Sequence, residues 1–324
     1  MNNSPTVTIS IVSFDTCNAL RDCLMSLRRV SDEAQFDVIV LDNASSDGSV
    51  AMLRGEFPEV KVIANSENVG FAQGVNKIVA QATGDYVLLL NPDTWIAKGA
   101  LARLVETVES DRKIAVAGAQ LTSFSGDSQQ SVLAPPSLTK EFLNLLPEVK
   151  SLVLPNSLRR RLLRRRESYQ GKYSTVPAVS GGAMLIRSVV FREVGGMDPR
   201  FFVYHEEVDL CQRIQKAGWK IVFVPDAQIL HSDALSTGYR TNRLPSEPVL
   251  SWRLSGLSIL FEKHGSRAEH RAFLRMANIL LRSRACGARL RALFSRNRST
   301  AFRARANELT AAADQLVRAE ATAS

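Results

Sequence analysis

The chain has 324 residues, of which 45% are hydrophobic, and a formal net charge of +9. This length allows a substantial buried core, in one large domain or in one domain with an appendage. No apolar run approaches the 18 residues of a membrane-spanning helix, and the start MNNSPTVTIS has no secretory signal, so we expect a cytoplasmic protein. The four cysteines show no metal-type spacing, which agrees with a reducing compartment.

The first part of the chain predicts strands that alternate with helices. The predicted strands are apolar and rich in β-branched residues, and they span 6–13, 37–41, 60–64, 86–90 and 114–118. This alternation indicates an α/β fold with a mainly parallel sheet flanked by helices. Ligands of such sheets bind outside the carboxyl ends of the strands. Asp15, Asp42 and Asp93 each follow a strand, so we expect all three to face one cleft.

Polar residues after the second and third strands are candidates for nucleotide binding. Asp42 can accept a hydrogen bond from a base or a ribose, or it can join the turn that caps the next helix. Asn68 and Asn76 can hydrogen-bond phosphate or ribose, and Gly70 permits a close approach of the main chain. The surrounding glycine spacing matches neither a Walker motif nor a dinucleotide fingerprint.

The helix starts are expected to be capped locally. Asp15 or Thr16 is predicted to cap the first helix, and Ser46 or Asp47 the second.

The alternation is lost between residues 123 and 175, which we interpret as a partly helical insertion over the cleft in a first domain spanning 1–250. Regularity returns with a strand at 179–186, helices that end near 194 and 217, and a strand at 220–224 with His231 in the loop beyond. Residues 251–324 predict a basic, helical C-terminal extension with amphipathic helices.

Two segments carry most of the positive charge. Residues 150–172 contain 8 Lys and Arg against 1 acidic residue, and residues 251–324 contain 14 against 5. Such runs are either solvated faces or contacts to an anionic surface, such as lipid headgroups or a pyrophosphate-bearing acceptor. No helix-turn-helix, aromatic RNA-binding strand or zinc motif accompanies the charge, so we expect no nucleic-acid partner.

Acidic residues and a distant histidine form the catalytic candidates. Asp93 ends the run Leu-Leu-Leu-Asn-Pro-Asp, and Glu206, Glu207 and Asp209 crowd a helix start. Asp93 with His231 suits a divalent cation that neutralises charge on a departing diphosphate. The crowded acids supply a general base for an attacking hydroxyl. Alternatively, Asp93 is a turn residue, His231 is an ordinary loop residue and the acids only complement the helix dipole.

Six segments and a later histidine, in this order, resemble family-2 glycosyltransferases and particularly their rhamnosyltransferase-like branch. They are VTISIVSFDT, VLDNASSDGS, ENVGFAQGVN, GDYVLLLNPDT, VSGGAMLIRSVVFREVGGMD, FFVYHEEVDLCQRIQKAGWKIVFVP and His231. The resemblance implies a GT-A (Rossmann-like) fold and inverting, Mg²⁺- or Mn²⁺-dependent sugar transfer. The donor would be a nucleotide-diphospho-sugar, dTDP- or UDP-linked, carrying rhamnose or another hexose. The acceptor would be a glycan or lipid-linked saccharide in cell-surface polysaccharide synthesis, with peripheral contact to an anionic membrane.

The resemblance also assigns metal and nucleotide roles. The family's Asp-x-Asp motif falls on Asn91-Pro92-Asp93, so Asp93 inherits the metal and Asn91 lies in the nucleotide-sugar site. The family's late histidine falls on His231. Asp42 matches the acid that contacts the nucleotide base, and Asp15 lies near the same pocket.

The family's Glu-Asp motif falls on Glu206-Glu207, which makes Glu207 the implied base. Because its second acid is Glu here rather than Asp, the carboxylate moves by more than an ångström, which matters for a positioned base. Asp209 is the alternative base.

Two other readings remain. A relative that binds a sugar nucleotide without chemistry would explain the Glu207 departure. A nucleotidyltransferase would need a Gly-rich, basic loop after the first strand, and SFDTCN is not one.

Overall fold

The computed structural model describes residues 5–145, 172–232, 247–294 and 299–322. The chain divides into two units, and the buried hydrophobic residues form separate clusters in them. The first unit comprises 1–135 and 169–241, and the second comprises 136–168 and 242–324. The domain bounds predicted from the sequence, 1–250 and 251–324, remain a prediction. About half of the predicted insertion at 123–175, namely residues 146–171 with the arginine run, lies outside the described residues.

The elements of the first unit follow the predicted alternation. Up to the insertion they are β1 (Thr6–Ser13), α1 (Cys17–Arg29), β2 (Gln35–Asp42), α2 (Ser49–Glu56), β3 (Lys61–Ala64), α3 (Phe71–Val79), β4 (Tyr86–Leu90), β5 (Thr94–Ile96), α4 (Ala100–Ser110), β6 (Ile114–Thr122) and β7 (Val132–Leu133). After α5 (Leu138–Leu145) of the second unit come β8 (Ser174–Thr175), β9 (Ala178–Val179), β10 (Ala183–Arg187), α6 (Ser188–Glu193), α7 (Glu206–Lys216) and β11 (Lys220–His231).

One nine-stranded sheet organises this unit. Its order is β3-β2-β1-β4-β10-β6-β11-β5, with β8 paired to β11, while β7 and β9 form a separate pair. Strands β3, β2, β1, β4, β6 and β11 point the same way, whereas β10, β5 and β8 oppose them. The predicted mainly parallel, helix-flanked sheet is confirmed. The antiparallel strand β10 between β4 and β6 was not predicted.

Two predicted strands differ from the observed ones. The strand expected at 179–186 is broken by a turn at Gly181-Gly182, so β9 and β10 belong to different sheets. The strand expected to end at Val224 continues to His231, so His231 lies in β11 and not in a loop. Pro225 is tolerated because the pairing with β6 is irregular between Val224 and Gln228, where its missing N–H costs no ladder bond.

The core of the first unit is built from the predicted faces. On α1, the side chains of Leu20, Cys23, Leu24 and Leu27 are buried at helical spacing, and α3 buries its own apolar stripe. The fully buried strands β1 and β4 lie at the centre of the sheet. Burial of this apolar surface is the main stabilising contribution.

The helix starts differ from the prediction. Neither Asp15 nor Thr16 caps α1 through its side chain. Instead Asp47 Oδ2 accepts a hydrogen bond from Cys17 N at 2.7 Å, while Asp47 Oδ1 accepts one from Ser49 N in α2 at 3.1 Å. One carboxylate therefore satisfies main-chain donors at the starts of two helices.

The second unit is helical. It contains α5, α8 (Glu247–His264), α9 (Arg267–Phe294) and α10 (Ser299–Thr322). Phe261 stacks on Phe273 with ring centroids 5.0 Å apart, and buried alanines along α9 and α10 let these helices approach closely. Apolar side chains at 279, 290, 293 and 294 of α9 are exposed. No helix in the described part of the chain is long and apolar enough to cross a membrane.

Candidate active site

The carboxyl ends of the parallel strands gather the predicted polar residues at one edge of the sheet, here called the carboxyl edge. Asp42 is the last residue of β2, Asp15 follows β1 by two residues and Asp93 follows β4 by three. Asp15 and Ala44, just beyond these strand ends, have φ of +50° and +66°. Non-glycine residues rarely adopt such angles, and in proteins they concentrate at functional sites.

Asp42 ends β2, and Asp15, in the loop after β1, is hydrogen-bonded to the loop that follows β2. Asp42 is 1% exposed, and its Oδ1 accepts a hydrogen bond from Ser45 N at 3.0 Å. Its Oδ2 has no hydrogen-bond partner within the described residues. Asp15 Oδ1 accepts hydrogen bonds from N and Oγ of Ser46, at 2.7 and 3.3 Å. Asp15 therefore holds the loop, while Asp42 keeps one buried acceptor atom for a ligand donor.

Asn68 and Gly70 have internal functions. Asn68 Oδ1 accepts a hydrogen bond from Gly70 N at 2.9 Å. Gly70 has φ of +81°, and a Cβ there would lie 2.4 Å from the main-chain oxygen of Phe202. The close approach predicted at Gly70 is therefore made by the chain itself, because Phe71 N donates to that same oxygen. These contacts give both residues a function within the fold, and their contact with a sugar nucleotide stays a prediction.

Asn76 is a second correction. Its Nδ2 donates to the main-chain oxygen of Met197 at 2.7 Å, and its Oδ1 accepts from Met197 N at 2.9 Å. Because both polar atoms bind main chain, Asn76 fastens α3 to the segment before α7 and does not present its amide to phosphate or ribose.

Asn43 was missed by the sequence analysis. It is 2% exposed, its Nδ2 donates to Gly70 O at 3.2 Å and its Oδ1 accepts from Asn65 Nδ2 at 2.9 Å. It thereby joins the ends of β2 and β3 to the start of α3. Its polar position in the Asp-Asn-Ala-Ser turn was the available signal, but only the fold shows its partners.

Asp93 and His231 lie together, as predicted. Main-chain pairing brings them there, since His231 pairs with Thr94 of β5 and Ser232 N donates to Asp93 O at 2.9 Å. Asp93 Oδ1 is 3.3 Å from His231 Nε2, and Asn91 Nδ2 is 3.3 Å from the same nitrogen. Asp93 is 5% exposed, yet neither carboxylate oxygen accepts a hydrogen bond from any described residue.

Gln129 contacts the other side of the histidine. Its Nε2 donates to the main-chain oxygen of His231 at 2.9 Å, and its Oε1 lies 2.8 Å from His231 Nδ1. Because a main-chain oxygen only accepts, the amide nitrogen must face it, and Oε1 then faces Nδ1. An amide oxygen also only accepts, so Nδ1 carries the proton.

With the proton on Nδ1, Nε2 carries a lone pair, and both Asp93 Oδ1 and the Asn91 amide nitrogen lie 3.3 Å from it. Nε2 then cannot donate to the carboxylate, so a cation near both atoms would reduce their repulsion. No three His, Cys, Asp or Glu side chains gather as a metal cage within the described ranges. Two protein ligands nevertheless suit Mg²⁺-type ions, which take one or two carboxylates and complete their shell with substrate phosphates and water.

The Glu206–Glu207 pair begins α7. It follows Tyr204 and His205, whose φ angles of +74° and +73° are strained for non-glycine residues and turn the chain sharply into the helix. Burial raises the pKa of the Glu207 carboxyl to about 6. Burial, followed by the neighbouring Glu207 charge, raises the pKa of Glu206 well above its usual range. A carboxylate with a pKa near neutrality is suited to general-base chemistry.

Asp209 has a different environment from the glutamates. It is 0% exposed, and its Oδ2 accepts from Arg213 Nε at 2.9 Å, with Arg213 Nη2 at 2.8 Å. Arg213 Nη1 also donates to Val194 O at 2.6 Å. This buried ion pair connects α7 to the segment before it. If Asp209 were the base, taking up a proton would break its ion pair with Arg213. The structure therefore favours Glu207 over Asp209 as the base.

The Gly181-Gly182 turn connects the two acidic groups. Gly182 O accepts a hydrogen bond from Asn91 N at 3.1 Å, and a Cβ on Gly181 would lie 3.6 Å from Cβ of Glu207. One short turn thus contacts both the loop that contains Asp93 and the helix α7 that contains Glu207. A Cβ on Gly182 would lie 3.3 Å from Leu121 Cδ1 and 3.4 Å from Asn91 Nδ2, so a larger residue there would crowd the Asn91 side chain.

Comparison with known proteins places these observations in a family. The sequence profile of glycosyl transferase family 2 matches residues 8–195, and that of glycosyl transferase family group 2 matches residues 156–243.

Two relatives match most of the chain. The N-acetylglucosaminyl-diphospho-decaprenol L-rhamnosyltransferase of Mycobacterium tuberculosis is 29% identical over 267 residues, which cover 78% of this chain and 84% of that protein. Rhamnosyltransferase WbbL of Escherichia coli K12 is 27% identical over 236 residues, which cover 69% and 83%.

Solved structures share the fold. The mannosyltransferase PcManGT of Pyrobaculum calidifontis, in complex with GDP-Man and Mn²⁺, has a TM-score of 0.57 at 18% identity, covering 98% of this chain and 88% of that one. GalNAc-T7 with UDP, GalNAc and Mn²⁺ has a TM-score of 0.59 at 18% identity, and the match covers 81% of this chain but only 48% of GalNAc-T7. The predicted GT-A fold is confirmed.

Proposed function

Because the chain belongs to glycosyl transferase family 2, we propose that it transfers rhamnose or another hexose, with inversion, from a nucleotide-diphospho-sugar to a saccharide hydroxyl. The observation that carries this proposal is the composition of the carboxyl edge. A buried carboxylate without a hydrogen-bond partner (Asp93) lies beside a histidine nitrogen, and a short glycine turn separates this pair from Glu207, a carboxyl with a raised pKa.

The donor side of the proposed site is the loop between β2 and α2. The unpartnered Oδ2 of Asp42 is suited to accept a hydrogen bond from the N–H of a pyrimidine base or from a ribose hydroxyl. Asp15 holds the same loop in shape through Ser46. The Asn91 side-chain amide contacts His231, so Asn91 belongs to the proposed site beside Asp93 and His231.

The diphosphate would lie at Asp93 and His231. These two residues would hold Mg²⁺ or Mn²⁺, which stabilises the negative charge on the departing nucleoside diphosphate when it is bound. Asp93 Oδ1 and His231 Nε2 supply an oxygen and a nitrogen ligand, and the buried setting strengthens their electrostatic effect.

The transfer step needs a base on the acceptor side. The acceptor oxygen attacks the anomeric carbon, and its proton passes to the Glu207 carboxylate. The bond from that carbon to the diphosphate oxygen breaks, and its electron pair leaves with the nucleoside diphosphate. A single displacement inverts the anomeric centre. The strained turn at Tyr204-His205 and the Asp209–Arg213 pair hold Glu207 in position for this step.

The names of the relatives support the donor and acceptor classes. Both are rhamnosyltransferases, and one is named for a sugar linked by diphosphate to decaprenol. We therefore propose a dTDP- or UDP-linked donor and a lipid-linked saccharide acceptor of cell-envelope polysaccharide synthesis.

Calorimetric titration tests the donor site. The protein is titrated with dTDP, UDP and GDP in the presence of Mn²⁺ or Mg²⁺ and again with chelator, beside an Asp42→Asn variant. Metal-dependent binding of one nucleotide, weakened in the variant, is the expected result. A folded protein that binds none of them would contradict the proposal and favour a scaffold without chemistry.

We further propose that the second unit contacts an anionic membrane from the cytoplasmic side. Of the eleven exposed large hydrophobic side chains among the described residues, four lie on α9, and three of these fall within five positions. Exposed arginines follow one flank of this α9 surface at helical spacing. The surface comprises Ile279, Leu290, Leu293 and Phe294, and the flank comprises Arg271, Arg275, Arg282 and Arg289. Apolar side chains beside cations suit the interface of an anionic bilayer.

Vesicle flotation tests this contact. Vesicles of phosphatidylcholine with phosphatidylglycerol should float the protein, and vesicles of phosphatidylcholine alone should not. Replacing Leu290 and Leu293 with Glu should abolish flotation, whereas Val189→Glu, at a 64% exposed position of the first unit, should not. Equal flotation with both vesicle types, or no effect of the α9 changes, would contradict the proposal.

A further inference from the structure

Gln129 makes two contacts to a single histidine that is 102 residues away in sequence. Its amide nitrogen donates to the main-chain oxygen of His231 at 2.9 Å, and its amide oxygen accepts from Nδ1 of the ring at 2.8 Å. The two contacts fix both ends of the histidine, because one holds the main chain and the other the ring. An amide can make this pair of contacts in one orientation only, since each of its two atoms has a fixed hydrogen-bonding role.

The main chain of Gln129 is itself held in place. Its N–H donates to Leu121 O at 2.9 Å, just before the end of β6. Its main-chain oxygen accepts from Gln120 Nε2 at 3.3 Å and from Ser131 Oγ at 3.2 Å. Strand β6 also pairs with β11, which ends at His231. The side chain therefore starts from a fixed point and its two contacts are preorganised.

We propose that Gln129 is a positioning residue that holds His231 as the Nδ1–H tautomer, which leaves Nε2 unprotonated beside Asp93 and Asn91 and able to bind a divalent cation. This inference rests on the proposed function, because it names a residue that prepares the metal pair. Outer hydrogen bonds of this kind orient a histidine ligand and raise its basicity, and removing one typically weakens metal affinity about 10- to 100-fold.

The neighbouring residue provides a matched control. Gln130 is exposed, and its only described side-chain hydrogen bond is a long one of 3.5 Å to Val132 O. Gln129→Leu removes both contacts to His231 at nearly constant size, whereas Gln130→Leu makes the same chemical change one residue away.

The tautomer can be observed directly without metal or substrate. The chain has only four histidines, so ¹⁵N-labelled histidine gives few signals, and a His231→Gln variant assigns the relevant one. In the parent protein and in Gln130→Leu, His231 should show the Nδ1–H pattern. In Gln129→Leu, a substantial Nε2–H population should appear. The same tautomer in all three proteins, or an Nε2–H ring in the parent, would overturn the proposal.

Metal affinity gives a second readout. Mn²⁺ binding to the protein with saturating nucleoside diphosphate, followed by electron paramagnetic resonance, should weaken about 10- to 100-fold in Gln129→Leu and be unchanged in Gln130→Leu. Equal affinity in all three proteins would overturn the positioning role while leaving the proposed function intact. If the parent itself binds no Mn²⁺, the proposed metal role fails, and the tautomer measurement still decides what Gln129 does.

Discussion

The two edges of the central sheet treat their polar groups differently. At the amino edge, Asp85 Oδ2 accepts from N and Oγ1 of Thr6 at 2.9 and 3.1 Å. Arg187 donates to the main-chain oxygens of Ile114 and Val108 at 2.8 and 2.6 Å and to the Tyr86 hydroxyl at 2.9 Å. Each of these charged groups has partners that belong to the fold.

At the carboxyl edge, several buried carboxylates have an oxygen without a hydrogen-bond partner among the described residues. Five acidic residues in the described ranges have a buried carboxylate oxygen without a hydrogen bond, and four of them lie at this edge: Asp42, Asp93, Glu206 and Glu207. The non-glycine residues with positive φ, namely Asp15, Ala44, Tyr204 and His205, lie there too. Unpaired buried charge and backbone strain both lower the stability of the folded state. The fold tolerates both at the carboxyl edge, whereas the charged groups described at the amino edge are paired. The difference identifies the edge at which a ligand would supply the missing partners.

The largest effect should come from Asp93→Asn. The change removes the carboxylate charge from the proposed metal ligands Asp93 and His231 at nearly constant side-chain shape. Metal-dependent transfer should therefore fall to background, a loss of at least about 10³-fold. The melting temperature should not fall, because the Asp93 carboxylate accepts no hydrogen bond from the residues that the structure describes. Turnover with Mn²⁺ and with chelator measures the metal-dependent transfer, and thermal unfolding measures the melting temperature. Full activity in this variant would remove Asp93 from the metal site.

Glu207→Gln should lower kcat by about 10²- to 10⁴-fold while donor binding is kept, because an amide cannot take up the acceptor proton. In the parent enzyme, kcat/KM should fall as the pH drops below about 6, where the Glu207 carboxyl becomes protonated.

Asp209→Asn is the contrasting change to Glu207→Gln. It weakens the buried pair with Arg213, so its main effect should be a loss of unfolding free energy, up to about 3–5 kcal/mol for a fully broken pair. If Asp209→Asn instead leaves stability unchanged and abolishes transfer, Asp209 is the base.

The same Glu207→Gln variant should change how stability depends on pH. Folding raises the pKa of Glu207 from its ordinary 4.5 to about 6, so the folded state favours the protonated carboxyl. The parent therefore loses stability as the pH rises from about 4.5 through about 6, and the loss persists above that. The variant should be more stable than the parent by about 2 kcal/mol at pH 8 and nearly equal at pH 4. Urea unfolding at both pH values checks this, and a constant difference would contradict the buried-charge explanation.

The smallest effect should come from the amino edge. Asp85→Ala removes the acceptor for two hydrogen bonds from Thr6 at an exposed position, which should cost about 1 kcal/mol of unfolding free energy and leave kcat unchanged. Denaturant unfolding and steady-state kinetics measure the two quantities. A loss of kcat in the folded variant would show that the two edges are less distinct than their hydrogen bonding indicates.

The sequence by itself determined the strand–helix alternation, the mainly parallel sheet and the meeting of Asp15, Asp42 and Asp93 at one edge. Hydrophobic periodicity and strand ends are local properties, so they can be seen along the chain. The acidic start of α7 was visible for the same reason. The motif resemblance supported His231 as a site residue. The local sequence pattern placed His231 in a loop, whereas it is the last residue of β11.

Only the tertiary structure decided which polar side chains have partners within the fold and which keep polar atoms without one. Asn76 and Asn68 looked like ligand contacts, yet their partners are main-chain groups of this chain. Asp209 and Glu207 are two residues apart, but of these two it is Asp209 that forms an ion pair with Arg213. Gln129 carried no sequence signal, since its partner is 102 residues away. Hydrogen bonds depend on distances that the fold creates between residues distant in sequence, and no local pattern records them.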